Sequence, residues 1–301
     1  VTYSLVARDP DGRTVGVATA SRYLAVGSTV PGVAAGVGAL ATQASTNVLY
    51  RERGLRALRA GQAPRRVVDA LVGDDLDRDR RQLAVVGLDG PPAAWTGSDC
   101  VPWAGQVVRD DSAAVGNLLV GPEVLTAVLD AFESTAGDLA HRLLAALAAG
   151  DAAGGDRRGR QSAALVVASG PGTVHLRTPA RVDLRVDDHP DPVRELQRLV
   201  RRHELLVGEP DPATALPLTG GTAAEVARAL RDLDGQAAPD PVLVAAVGRA
   251  RGVPRPVTGP DLEVRLAVWA VRRNLGHLVL EGAVDTTLLA ELRAAAEHPP
   301  A

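Results

Sequence analysis

The chain contains no methionine, no lysine and no isoleucine among its 301 residues, and only one cysteine and one phenylalanine. A lone thiol, Cys100, cannot close an internal disulfide, which excludes a disulfide-stapled framework and makes a reducing compartment the expectation. Three Trp, three Tyr and one Phe leave core packing to Val, Leu and Ala. No basic stretch followed by an apolar one opens the chain, and no apolar run reaches bilayer length. A soluble, cytoplasmic protein without a membrane partner is therefore expected. No basic tract and no series of stacking aromatics occurs, and the formal net charge is −3, so no nucleic-acid partner is expected. The absence of Lys and Ile beside abundant Ala, Arg, Gly and Val is the codon bias of GC-rich DNA, where GTG starts are common. Either a Met preceded Val1 or Val1 is such a start codon read literally. In that case the product begins Met-Thr, and the small second residue permits Met removal.

What is present begins with a hairpin. Thr2 to Ala7 and Thr14 to Ala20 alternate small and β-branched residues around an Asp-Pro-Asp-Gly turn. A strand that starts the chain places a free α-amine at a sheet end. Were Thr2 first, hydroxyl and amine would share one residue, and the amine's reference pKa of about 7.7–8.0 suits a general base. The alternative is that Thr2 is an ordinary strand residue near a fraying terminus. Further strands are expected at 36–43, 83–88, 93–96, 113–120, 162–168, 173–176 and 182–186, with Pro31-Gly32 and Pro102 to Gly105 as turns. Helices are expected at 50–60, from Pro64, from Glu123, at 139–149 behind an Asp138 cap, and from Pro192 to about Leu206. Strands grouped in hairpins with helices in pairs indicate an α+β fold of two face-packed sheets, each covered by a helix pair. Residues 1–207 form this domain. A Gly-Glu-Pro-Asp-Pro linker spans 208–213, and 214–301 reads as a small helical domain with helices at 222–233, 242–250, 261–276 and 285–297.

Candidate chemistry concentrates in two stretches. Gly154 to Ser162 carries Asp156, Arg157, Arg158 and Arg160 straight into a core strand; glycines allow close backbone approach, and Arg forks suit carboxylates or amide oxygens. A solvated loop with internal ion pairs is the plainer account. Asp183 to Pro192 holds carboxylates and His189, including Asp187 and Asp188, but capping of the helix at Pro192 explains these better than a metal, so no metal site and no cofactor are expected. Cys100 reads as a small hydrophobe. Asn47 and Asn117 end strand-like runs, where amides can orient a substrate or an oxyanion.

Six separated motifs then share one likeness: TYSLVARDPDGRTVGVATASRYLAVGS, QASTN, TGSDC-x-PWAG, GNLLVGPEV, GGDRRGRQSAALVV and VDLRVDDHPDPV. Together, over about 2–206, they resemble the DUF1028 family, which is of uncharacterised activity and is placed in the N-terminal-nucleophile (Ntn) hydrolase superfamily. The resemblance implies a four-layer αββα sandwich. It also implies Thr2 as nucleophile with its α-amine as base, Arg22 as an electrostatic aid, and Asp156 as the acid near the amine. By the same resemblance the oxyanion hole would lie near Ala44 to Asn47, with Ser45, Thr46 and Asn47 as its groups; Asn117, Arg157, Arg160 and Ser162, from the stretches read above, are the further substrate-binding candidates. Three departures from proteasome-type chains stand out: there is no lysine, Ala20 takes the place of an aspartate, and Val1 precedes Thr2. The tail resembles the peptidoglycan-binding-like helical module that often follows DUF1028, on Leu266-Ala267-Val268-Trp269, Asn274-Leu275 and Val284-Asp285, and is expected to be all-α. The activity implied is hydrolysis of a C–N bond, amide or urea-like, in a small anionic substrate. The alternative is a non-catalytic binding or scaffold protein whose tail holds the ligand. A homodimer is the expected assembly, and peptidoglycan is a partner only through the tail's likeness.

Overall fold

The structure is a computed structural model and describes residues 2–10, 12–170, 182–208, 210–233 and 262–297. It divides into two compact units, residues 1–200 and 201–301. The first is a mixed α+β unit whose sheets are antiparallel throughout.

The larger sheet is built on the opening hairpin, β1 (Thr2–Arg8) and β2 (Thr14–Ser21). Around it stand β7 (Gly105–Val108), β8 (Ser112–Asn117), β9 (Ser162–Ser169) and β10 (Val182–Val186). The order is β10-β9-β2-β1-β8-β7, so the hairpin is central. The smaller sheet runs β3-β4-β5-β6, from β3 (Pro31–Ala34), β4 (Gly38–Ala44), β5 (Arg81–Gly87) and β6 (Ala93–Thr96).

Period-two alternation decides which face meets what. Tyr3, Leu5 and Ala7 of β1 join Leu125, Leu129, Phe132, Leu143 and Leu147 in a core under two helices, α3 (Glu123–Ser134) and α4 (Leu139–Ala152). Val6, Val15, Val17 and Val115 face the other way and pack against Ala39, Ala41, Ala84 and Val86 of the smaller sheet. Leu40, Leu83 and Val85, on that sheet's far face, meet Tyr50, Leu58, Val67 and Leu71 of α1 (Leu49–Arg59) and α2 (Pro64–Gly73). The layers thus run helix pair, sheet, sheet, helix pair. Asp138 caps α4 as expected, its Oδ1 accepting the His141 amide at 3.1 Å, and Pro64 opens α2 at the first turn.

Two strands, β3 and β7, are not among those expected from the sequence; each begins on a residue of a stretch expected to turn. Pro31 starts β3, an edge strand, where its missing N–H costs nothing. β7 is a four-residue edge strand, too short to show alternation. The strand expected over 113–120 ends at Asn117, because Leu118 takes φ 50° and turns the chain. The strand expected at 173–176 and the helix at 242–250 lie outside the described residues.

The division at 200/201 falls inside α5 (Pro192–Val207), ahead of the linker expected at 208–213. In the second unit α6 (Gly220–Leu233), α7 (Leu262–Arg272) and α8 (Thr286–Glu297) enclose Val226, Leu230, Leu266, Trp269, Leu288 and Leu292. This unit is not purely helical. Two-residue strands β11 (Leu216–Pro217), β12 (Val279–Leu280) and β13 (Ala283–Val284) pair in the order β11-β13-β12, with Gly282 at φ 65° turning β12 into β13. Such short pairs leave no periodic trace in a sequence.

Candidate functional site

At one end of the larger sheet, four neighbouring strands finish on polar residues. Asn117 pairs with Thr2, and Ser21 pairs with Ser162. Thr2 Oγ1 donates to Ser21 Oγ at 3.1 Å, which closes the row Asn117–Thr2–Ser21–Ser162 across β8, β1, β2 and β9. Every member is at least 95% buried; Thr2 itself is 5% exposed. A polar row at this depth must be hydrogen-bonded to persist.

The row rests on a network between the sheets. Gln43 Nε2 donates to the Thr2 carbonyl (2.9 Å) and to Gln82 Oε1 (2.7 Å). Asn117 Nδ2 donates to the same Gln82 oxygen at 2.9 Å. Gln82 Nε2 in turn reaches Gly116 O (2.8 Å), Gly105 O (3.0 Å) and Thr96 Oγ1 (3.0 Å). Ser4 Oγ donates to Gln43 Oε1 at 2.6 Å and lies 2.8 Å from Thr19 Oγ1. Sequence reasoning missed Ser4, Thr19 and Gln82 altogether. The available signal was an amide in the midst of an apolar strand, at Thr42-Gln43-Ala44 and Arg81-Gln82-Leu83.

The Gly-Asp-Arg loop closes over this end. Gly154, Gly155 and Gly159 take φ of 104°, 50° and 103°, conformations an L side chain rarely adopts. They deliver Asp156, 5% exposed, to the backbone N–H of Arg22 at 2.7 Å. Its other oxygen accepts the Arg158 amide at 2.9 Å, and the Arg158 guanidinium closes a salt bridge at 3.2 Å. Gln161 N donates to Ser21 O at 3.1 Å. Arg22 Nη1 donates to Arg160 O at 2.8 Å, and Arg160 Nε pairs with Asp151 at 2.7 Å; that pairing raises the Arg160 pKa. A cavity of about 350 Å³ lies between these groups, lined by Tyr3, Ser21, Arg22, Asp156, Arg160 and Ser162 among others. Burial first, then the Asp151 carboxylate, raise the Tyr3 phenol's pKa well above its ordinary value, so it stays a donor, to Leu147 O at 3.1 Å.

Thr2, Ser21, Arg22, Asp156, Arg160, Ser162 and Asn117 thus share one neighbourhood. Arg157 is turned to other work: its guanidinium donates to the carbonyls of Leu119 and Val120. Ser162 Oγ donates to Tyr23 O and accepts the Val26 amide, so it pins the 21–28 loop. Ser45, Thr46 and Asn47 follow β4, whose Gln43 reaches Thr2. The Ser45 amide donates to Arg80 O at 3.0 Å, and its hydroxyl accepts from Arg81. Asn47 Nδ2 donates to Asp75, which also accepts from Tyr50 and Arg81. Burial works to raise the Asp75 pKa, but the hydrogen bonds from Arg81, the Asp77 amide, Tyr50 and Asn47 overcome it and hold the carboxyl well below the carboxylate range.

Cys100 Sγ donates to Arg81 O at 3.4 Å, and burial raises its thiol pKa. Asp188 accepts from Gln161, and His189 Nδ1 accepts the Asp191 amide ahead of α5. Among the described residues no three His, Cys, Asp or Glu side chains are placed to share a metal ion, and no helix is long and apolar enough to cross a membrane.

No curated protein matches the sequence. Among solved structures, protein SPO2555 from Silicibacter pomeroyi, of family DUF1028, is 34% identical with a TM-score of 0.60; the match covers 74% of the present chain and 88% of that protein. The sequence profile of a family of unknown function, DUF1028, matches residues 2–196. On a match of that extent and identity, the chain belongs to the DUF1028 family.

Proposed function

We propose that the first unit is an Ntn-type amidohydrolase, its layered sheets being the Ntn sandwich, and that Thr2 is its nucleophile. The observation that carries the reading is the Thr2 hydroxyl, 3.1 Å from Ser21 Oγ, with the next residue of that strand end, Arg22, held through its amide by the Asp156 carboxylate. In a chain processed to begin at Thr2, the α-amine takes the hydroxyl proton as Oγ1 attacks the substrate carbonyl. The same amine returns the proton to the leaving nitrogen, and water then releases the acyl group. Ser21 Oγ accepts from the Thr2 hydroxyl and holds it at the strand end. Asp156 and the Arg22 backbone fix the strand end so that hydroxyl and amine keep their relative positions.

The Ser45 amide is spent on Arg80 O, so the oxyanion donors fall to the next amides, Thr46 and Asn47, or to the remaining Asn117 amide hydrogen. Arg22 and Arg160 line the adjoining cavity and suit a substrate carrying a carboxylate or a urea-like oxygen. No cofactor enters the chemistry. A panel of small amides, ureas and short peptides tests the reading. Turnover should vanish in Thr2→Ala and persist in part in Thr2→Ser; full turnover in Thr2→Ala would refute it.

A second reading is a non-catalytic binding protein on the same fold. The near-complete burial of Thr2 favours it, as does the alanine at position 20. In that reading the helical second unit would be the ligand-holding part, with peptidoglycan as one candidate. Absence of turnover on the whole panel, with ligand retention by the intact chain, would select it.

A further inference from the structure

The TGSDC-x-PWAG motif builds a second concavity, of about 660 Å³, that the row at Thr2 does not use. Two of the chain's three indoles, Trp95 and Trp103, line it, each only partly buried. Both are held in place. Trp95 Nε1 donates to Arg78 O at 3.1 Å. The six-membered ring of Trp103 packs against Gly105, where a Cβ would come within 2.6 Å of the ring, so glycine permits the contact. The backbone on either side is pinned by Leu118 N to Val101 O (2.8 Å) and Leu119 N to Trp103 O (3.0 Å). Thr96 Oγ1 accepts from Gln82 Nε2, which leaves its own hydrogen as a donor in the wall. Among the described lining residues Arg65 is the only charged one; its Nη2 pairs with Asp69 Oδ1 at 2.8 Å on the same helix face, an exposed i,i+4 pair that a ligand carboxylate would share or displace.

Rigid, half-open indoles offer π-faces without an entropy cost on binding, and a guanidinium at the rim selects for negative charge. We propose that this cavity binds a planar aromatic group bearing a carboxylate. Its position gives it a further use. Gly105 pairs with Gly116, and Gly116 with Tyr3, so the cavity begins two strand spacings, about 10 Å, from the strand that carries Thr2. As a subsite of the hydrolase, an extension that rests on the reading above, it would hold an aromatic end of the substrate while the C–N bond lies at Thr2.

Isothermal titration calorimetry of the intact chain with benzoate tests the proposal, with cyclohexanecarboxylate and benzylamine as comparisons. Saturable benzoate binding is expected. Cyclohexanecarboxylate should bind roughly fivefold more weakly for want of stacking, and benzylamine roughly tenfold more weakly for want of the charge-assisted bond. Trp103→Leu should remove the aromatic preference. Arg65→Ala, a change at an exposed position, should remove the preference for acid over amine. Thr2→Ala should leave benzoate affinity unchanged even as it abolishes turnover, which separates failure of the cavity from failure of the hydrolase. No saturable benzoate heat, or affinity unchanged in both Trp103→Leu and Arg65→Ala, would overturn the proposal.

Discussion

Gln82 shows what one buried side chain holds together. Its amide group serves Gln43, Asn117, Thr96 and the carbonyls of Gly105 and Gly116, so both sheets depend on it, as do Gln43, which binds the Thr2 carbonyl, and Asn117, which pairs with Thr2. Gln82→Leu keeps the volume but strands those partners in a dry interior. A loss of about 2–4 kcal/mol is expected in denaturant unfolding. Asp75 makes a prediction in pH. Its hydrogen bonds hold the folded pKa below the unfolded value of about 3.9. The stabilisation is therefore complete above that value and lost as pH falls through the folded pKa. The stability gap between wild type and Asp75→Asn should be constant near neutrality and shrink below about pH 4, as read by thermal unfolding across pH. These residues were hard to find in the sequence for one reason. A polar residue inside a strand normally signals a solvent face, whereas Gln43 and Gln82 spend their polarity on each other between two sheets.

The loop at 154–159 is the element that converts fold into site. Gly154 sits at φ 104°, and a Cβ there would come within 2.7 Å of Val120. Gly154→Ala should cost about 1–3 kcal/mol and displace Asp156 from the Arg22 amide. Under the hydrolase reading, turnover should fall by more than the unfolded fraction explains. This loop was legible from sequence because glycines and charges abut a core strand, and the opening hairpin was legible because its turn residues punctuate two β-branched runs. Strands β3 and β7 were not. Pro31-Gly32 carry turn chemistry, yet on a sheet edge the same residues cost no ladder bond, while β7 follows the Pro102 to Ala104 bend with only four residues. Of the residues grouped as the site, Arg157 illustrates the limit. Its place in the motif is visible in the chain, but its commitment to Leu119 and Val120 is decided by tertiary contact.

For the whole molecule, the central hairpin should be the most persistent structure. β1 has β2 and β8 at its sides, and β2 has β1 and β9, so their amides are covered by ladders and by two cores. Hydrogen exchange should be slowest at Leu5, Val6, Val17 and Ala18, and faster in the two-residue strands of the second unit. The opposite order would place the stable nucleus elsewhere. The same hairpin presents Thr2, and the functional account depends on what precedes that residue. Intact-mass and N-terminal fragment analysis of protein made in its native host measures this directly. The account requires a mature chain that begins at Thr2 with an unmodified amine. A native chain that retains Val1 ahead of Thr2 would block the base and contradict it.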